Sequence, residues 1–335
     1  MLWPTFIYNI FPKNDVNLIF HKLLYQSKSY SPKDQSCPDE FKGGFRDWSI
    51  TGNGLHLTPY TGKGERVAIL DTGVDIRHKE LYGSVKNYSF IKGDNWGVEN
   101  AHGTFIAGQI LPRDNGYGLV GVAPEATALS CKVLHGNERD RRNNTSESIS
   151  NAIKAAVLDG CGVISLSLGG PSKNPKISSA ISNAVHAGCL VIAAAGNESL
   201  EGSPYASYPA SYYDVISVGA ADKRGYASWY STVGHSNLNK YAQPEVGVSS
   251  LEYYWSVMPN QRYGKMLGTS MACPVISGVA LLWLQAQREK ETLPKGYEVT
   301  KQFRKFLKEN SSHPHGAEWN NELGYGVFKM NENSL

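Results

Sequence analysis

Three stretches of this chain set a residue able to move a proton or an electron pair in a glycine-flanked turn beside an apolar element. They are "AILDTGVDIRHKEL" around Asp71, "NAHGTFIAG" around His102 and "MLGTSMACPVISGVA" around Ser270. A serine hydroxyl is a weak nucleophile at neutral pH. It needs a base to take its proton, and the base needs a carboxylate to fix its tautomer and stabilise its charge. Each residue alone has an ordinary reading. Asp71 can form a turn with Gly73, and His102 can cap a helix or fill a core niche. Ser270 can be an N-cap, with Pro274 in the first helical turn where no donor is missed. Together, the three supply the parts of a serine-nucleophile acyl transfer. Such chemistry builds negative charge on a carbonyl oxygen, which must meet preorganised donors. Asn197, in "AAAGNES", can aim its side-chain NH2 there, and the backbone N–H of Ser270 at a helix N-terminus offers a second donor.

These residues need elements to hold them. From residue 65 onward, apolar runs of strand length ("RVAILDTG", "ATALSCKVL", "GVISLSLGG", "CLVIAAAGN", "DVISVGAA") alternate with helical stretches ("SISNAIKAAVLDG", "ISSAISNAVHAG" and the run after Ser270). Short continuous runs of Val, Ile, Leu and Ala between helices are strands buried on both faces, so the class is α/β with a mainly parallel sheet. Ligands and chemistry gather at the carboxyl ends of such strands. Asp71, Ser167 and Asn197 fall there. "GHSNLNKYAQPEVGV" reads as an irregular interruption, and "HGNERDRRNNTS" at 135–146 as a charged loop.

Residues 1–40 differ in texture, with early prolines, a short amphipathic piece and a Ser/Pro/Asp-rich stretch, and read as an extension ahead of a domain at 41–335. The first twenty residues lack a basic n-region and are interrupted by Pro4 and Pro12, unlike a secretory signal, and no apolar run reaches membrane-spanning length. Five cysteines cannot all pair within the chain, and four lie in or beside apolar stretches, which favours a reducing, cytoplasmic setting over secretion. A formal charge of +3 on 63 charged side chains points to neither nucleic acid nor an anionic membrane as partner. Oligomeric state is not legible.

The motifs "DTG", "HGT…AG" and "GTSMA.P", in this order and with "GVAP" at 121–124, "SLSLGG" at 165–170 and "AAAGN" at 193–197, resemble those of the subtilisin-like serine proteases. The resemblance covers about residues 60 to 330. It implies a three-layer α/β fold with a mainly parallel central sheet flanked by helices, and a serine endopeptidase needing no cofactor for its chemistry. Asp71 then orients the base, His102 is general base and acid, Ser270 is the nucleophile and Asn197 stabilises the oxyanion. A peptide or protein substrate in extended conformation would pair with Ser167, Leu168, Gly169 and Gly170. Its side chain before the scissile bond would enter a pocket walled by that segment and by Ala195 and Gly196, with Ser207 at the floor and Glu198 near the mouth. A structural calcium is implied at the loop "ILPRDNGYGLVGVAP", held by the Asn115 side chain, the carbonyls of Arg113, Tyr117 and Leu119, and the Glu80 carboxylate.

Departures from the family pattern, Phe105 and the "CPVISG" after Ser270, replace secondary polar groups and touch none of the catalytic parts. Cys273, three residues past the nucleophile, reads as a packing thiol ahead of a redox switch. "HPH" at 313–315 reads as a polar loop. Transpeptidation or macrocyclisation would use the same four residues, and a peptide-binding pseudo-protease would lack one of them. A nucleotide site at "TGKGER" fails because its glycines precede a strand instead of linking a strand to a helix.

Overall fold

The computed structural model describes residues 37–94, 98, 100–135, 145–198, 206–234 and 244–335. The extension expected at 1–40, apart from its last four residues, and most of the charged loop at 135–146 lie outside them. In chain order the first elements are α1 (Trp48–Thr51), β1 (Arg66–Asp71), β2 (Val85–Ser89), α2 (His102–Ile110), β3 (Thr127–Lys132) and α3 (Thr145–Leu158). Next come β4 (Val163–Leu166), α4 (Pro175–His186), β5 (Leu190–Ala194), β6 (Ile216–Ala221) and β7 (Val246–Ser249). The chain closes with β8 (Tyr254–Met258), β9 (Arg262–Met266), α5 (Thr269–Glu289), α6 (Tyr297–Glu309), β10 (Ser311–Ser312) and β11 (Val327–Phe328).

Period-two alternation along the strands sorts their side chains into two cores. Val67 and Ile69 of β1, Ile192 and Ala194 of β5, and Val218 and Ala220 of β6 pack with α2, α5 and α6. Ala68 and Leu70, with Val191 and Ala193, pack with α3 and α4 on the opposite face. The result is helices, sheet, helices: three layers. The sheet order is β10-β11-β7-β6-β5-β4-β1-β3-β2, and every pairing is parallel except β10 with β11. β1 lies between β3 and β4, where the order of strands reverses; that crevice is where open parallel sheets hold their chemistry.

Three sequence expectations change. The "VGV" end of the stretch read as irregular begins β7, a strand buried at all four positions, while residues 235–243 lie outside the described part. Thr145 and Ser146 begin α3 instead of ending a loop. Finally, α5 has the length and hydropathy of a membrane span, but it is buried from Thr269 to Ala286 and serves as the central rod of one core. The glycine-rich "TGKGER" is also explained: the backbone N–H groups of Thr61, Gly62 and Lys63 converge on Oε1 of Gln285 at 2.9, 2.8 and 3.2 Å. The anion nest is filled by the chain's own amide.

Candidate active site

Asp71 ends β1, and the chain turns at Gly73, whose φ of +90° suits glycine. The turn is laced to the start of α2. The Gly103 N–H donates to Thr72 Oγ1 (3.1 Å), and the Asp75 N–H donates to Thr104 Oγ1 (2.9 Å). Asn100 accepts the His102 N–H on its side-chain oxygen at 2.8 Å, and so caps the helix. Gly103 is obligatory at this approach, because a Cβ there would collide with the Gly73 carbonyl. Thus "DTGVD" and "NAHGT" are a single hydrogen-bonded unit, and it brings His102 Nδ1 to 2.8 Å from Asp71 Oδ1 and 2.9 Å from Oδ2. The Thr72 N–H adds a bond of 2.7 Å to Oδ1. Both side chains are buried, and His102 Nε2 has no protein partner.

Ser270 reaches the site from the other end of the chain. The β8–β9 hairpin turns at Asn260 and Gln261, both at positive φ, and delivers Gly268 as the residue ahead of α5. Ser270 is the second residue of α5 and no cap; its backbone N–H belongs to the first turn, whose donors lack carbonyls within the helix. Pro274 is accordingly the sixth residue, inside the helix, and a donor is missed: its absent N–H is the one that Ser270's carbonyl would have accepted. Ser167, just past β4, fills the gap by donating its hydroxyl to that carbonyl at 2.8 Å. In return the Ser270 hydroxyl donates to the Ser167 carbonyl at 3.3 Å, and not to His102.

Asn197 follows β5. Its Oδ1 accepts the Thr269 N–H at 2.9 Å and the Thr269 hydroxyl at 3.1 Å, which fixes the amide so that its NH2 points away from α5's first residue. Thr269 Oγ1 also accepts the Gly196 N–H at 3.1 Å. Thr269 and Thr72, which hold the amide and the carboxylate in place, went unassigned in the sequence. Their signal was their position, one residue before Ser270 and one after Asp71.

The expected pocket residues also come together. The Ser207 N–H donates to the Ala195 carbonyl at 2.8 Å, and Gly170 and Tyr208 exchange both backbone bonds at 2.8 Å. Gly170's main chain is therefore already paired. Around Gly196 lie Ser207 Oγ, Thr232 Oγ1 and Glu198 Oε2, and Thr232 donates to that carboxylate at 2.8 Å. Cys273 is fully buried among Ser165, Ser277 and the Ile192 carbonyl, and burial pushes its thiol up to about 11. That thiol packs. His313, of the "HPH" loop, is buried against the Gly324 carbonyl at 2.9 Å.

At the loop where calcium is expected, the Glu80 carboxylate lies directly beneath Gly118, where a Cβ would strike it. Oε1 accepts the Tyr263 hydroxyl at 2.5 Å and the Leu119 N–H at 3.3 Å, while Oε2 is buried without a partner. Burial raises the Glu80 carboxyl above its ordinary range. Asn115 Oδ1 accepts the Tyr117 N–H within its own turn at 3.0 Å.

A carboxylate–imidazole pair at a switch point, a serine in a helix's first turn and an oriented amide are the parts that serine hydrolysis needs. Comparison with known proteins agrees: the model of the Subtilase family matches residues 62–326, and the chain belongs to that family. The major intracellular serine protease of Bacillus subtilis is 41% identical over 229 residues, 66% of this chain and 68% of that protein. Subtilisin DY of Bacillus licheniformis is 37% identical over 237 residues (70% and 82%), and thermitase of Thermoactinomyces vulgaris 32% over 279 (82% and 89%). The protein is a subtilisin-like serine endopeptidase, a hydrolase of peptide bonds whose chemistry needs no cofactor.

Proposed function

We propose that Ser270 is the nucleophile, His102 the general base and acid, Asp71 its orienting carboxylate, and Asn197 with the Ser270 N–H the oxyanion donors. The buried Asp71–His102 contact carries this reading. With both carboxylate oxygens on Nδ1, that nitrogen keeps the proton, and Nε2 remains a bare acceptor, the form a general base needs. The reaction begins as the Ser270 hydroxyl rotates from the Ser167 carbonyl toward Nε2. Oγ bonds to the substrate carbonyl carbon while its proton passes to Nε2, and the oxyanion is met by the Asn197 NH2. The C–N bond then breaks as Nε2 returns the proton to the leaving amine. Water repeats the sequence on the acyl-enzyme and frees Ser270.

The substrate binds as an added strand along Ser167, Leu168 and Gly169, which gives affinity through main-chain bonds. Gly170 is excluded from that pairing by its bonds to Tyr208. Ser207 makes the pocket shallow, suited to medium apolar or aromatic side chains. The Glu198 carboxylate beside Gly196 adds tolerance for basic ones. The protein works in the cytoplasm, a setting supported by free thiols at all five cysteines. The extension at 1–40 acts as a short inhibitory segment removed by self-cleavage.

A structural calcium would be held by Glu80, the Asn115 side chain and the carbonyls of Arg113, Tyr117 and Leu119. The unpartnered buried Oε2 supports it. The ion would tie the loop to the domain and take no part in the reaction.

The test is peptide hydrolysis and fluorophosphonate labelling, with cleavage positions in a diverse peptide library read by mass spectrometry. Wild type should cleave and label, and Ser270→Ala should do neither. Ordinary turnover by Ser270→Ala would remove the assignment.

A further inference from the structure

Gln109 has no part in the steps above. It lies two turns beyond His102 on α2, hence on the same helix face, within an otherwise apolar run of Phe105, Ile106, Ala107 and Ile110. The residue is only 5% exposed. Nε2 donates at 2.9 Å to the carbonyl of Met271, the residue after the nucleophile, while Oε1 is buried with no protein partner. A buried acceptor left unmatched opposes folding, and leucine or methionine would fill the space without it. The donor bond to Met271 is therefore what the amide contributes.

That bond lands where α5 is weakest. Pro274 deprives the Ser270 carbonyl of its helical donor, and Ser167 answers from the sheet side at 2.8 Å. Gln109 holds the next carbonyl, from the side of the base. A short rigid helix thus bears the base at its first residue, His102, and a clamp on the nucleophile's turn at Gln109.

We propose that Gln109 is a positioning residue that sets the approach of the Ser270 turn to the His102 helix. The proposal rests on the triad reading above. Misplacement of reacting groups by less than an ångström lowers turnover without changing what the groove binds. Gln109→Met keeps the volume and removes the donor. It should lower kcat and the rate of fluorophosphonate labelling of Ser270 by about ten- to a hundredfold, with KM unchanged. Ile181→Val, in the core on the far side of the sheet, serves as the comparator for lost stability. At a matched interval below each Tm it should label at the wild-type rate. Gln109→Glu restores a donor only when protonated, so its labelling rate relative to wild type should climb toward one as pH falls. Wild-type kcat and labelling in Gln109→Met, or losses equal to those of Ile181→Val, would overturn the proposal. Were Gln109→Met not to fold, a flat pH ratio for Gln109→Glu would overturn it equally. Ser270→Ala, assayed alongside, separates the two failures: activity there would sink the triad reading itself.

Discussion

At the scale of single residues, the oxyanion amide offers the sharpest test. Asn197→Ala should lower kcat by roughly a hundred- to a thousandfold, the loss found for a single oxyanion donor in this family, with KM nearly unchanged. Thr269 adds a graded prediction. Its hydroxyl and its backbone N–H both bind Asn197 Oδ1, so Thr269→Val removes one of two restraints. Turnover should drop by a smaller factor than for Asn197→Ala, and Thr269→Ser should restore most of it. Steady-state kinetics on one peptide substrate measures all three. Equal losses for Thr269→Val and Asn197→Ala would mean that the hydroxyl alone aims the amide.

At the scale of elements, the proline in α5 makes an unusual pair with Ser167. Ser167→Ala leaves the Ser270 carbonyl buried and without a donor, at a cost of about 1–3 kcal/mol. Pro274→Ala supplies the missing helical N–H, so in that background Ser167→Ala should cost markedly less. A double-mutant cycle by denaturant unfolding reads the coupling, and additive losses would show that the carbonyl finds no helical partner. This relation was invisible in the sequence because it depends on where the helix begins. Counting from Ser270 as cap puts Pro274 in the first turn, whereas Thr269 is the first residue and the proline lies inside. Strand legibility follows burial in the same way. β1, β4, β5 and β6 are continuous apolar runs and were readable. β2 exposes alternate residues of "VKNYS", and the β8–β9 hairpin turns at Asn-Gln without a glycine to announce it. The proposed triad was legible as local motifs, but the bonds of Gln109 and Ser167 to the carbonyls of Met271 and Ser270 join residues 162 and 103 positions apart and need the fold.

At the scale of the whole molecule, aromatic packing and backbone bonds fasten the front of the chain. Phe41 is fully buried, stacked at 4.5 Å on Phe45 and edge-on to Trp255 and Tyr263. The Gly43 and Phe45 N–H groups donate to the carbonyls of Gly116 and Gly118, in the loop at 110–124, at 3.0 and 2.8 Å. A chain starting at Cys37 should therefore keep its stability, and one starting at Phe45 should lose about 3 kcal/mol or more. If the segment ahead of Cys37 inhibits, the first truncation should also be more active than the full chain. Urea unfolding and peptide hydrolysis of the two truncations decide both points. The proposed calcium would be a second tie. Binding to the folded state alone raises the melting temperature with free calcium, and Glu80→Gln should flatten that rise. Coincident melts of wild type in chelator and in millimolar calcium would leave the loop fastened by its protein contacts, with Gly43, Phe45 and the Glu80 carboxylate.

The crossing order of the sheet bears on when the protein becomes dangerous to its maker. Asp71 and His102 are joined by neighbouring stretches, but the nucleophile rides on a helix that cannot be buried until β4, β5 and β6 exist to receive it. Because α5 must dock on those strands before Ser270 can meet His102, a chain cut short of Thr269 holds Asp71 and His102 without the serine and, under the roles proposed above, should hydrolyse no peptide.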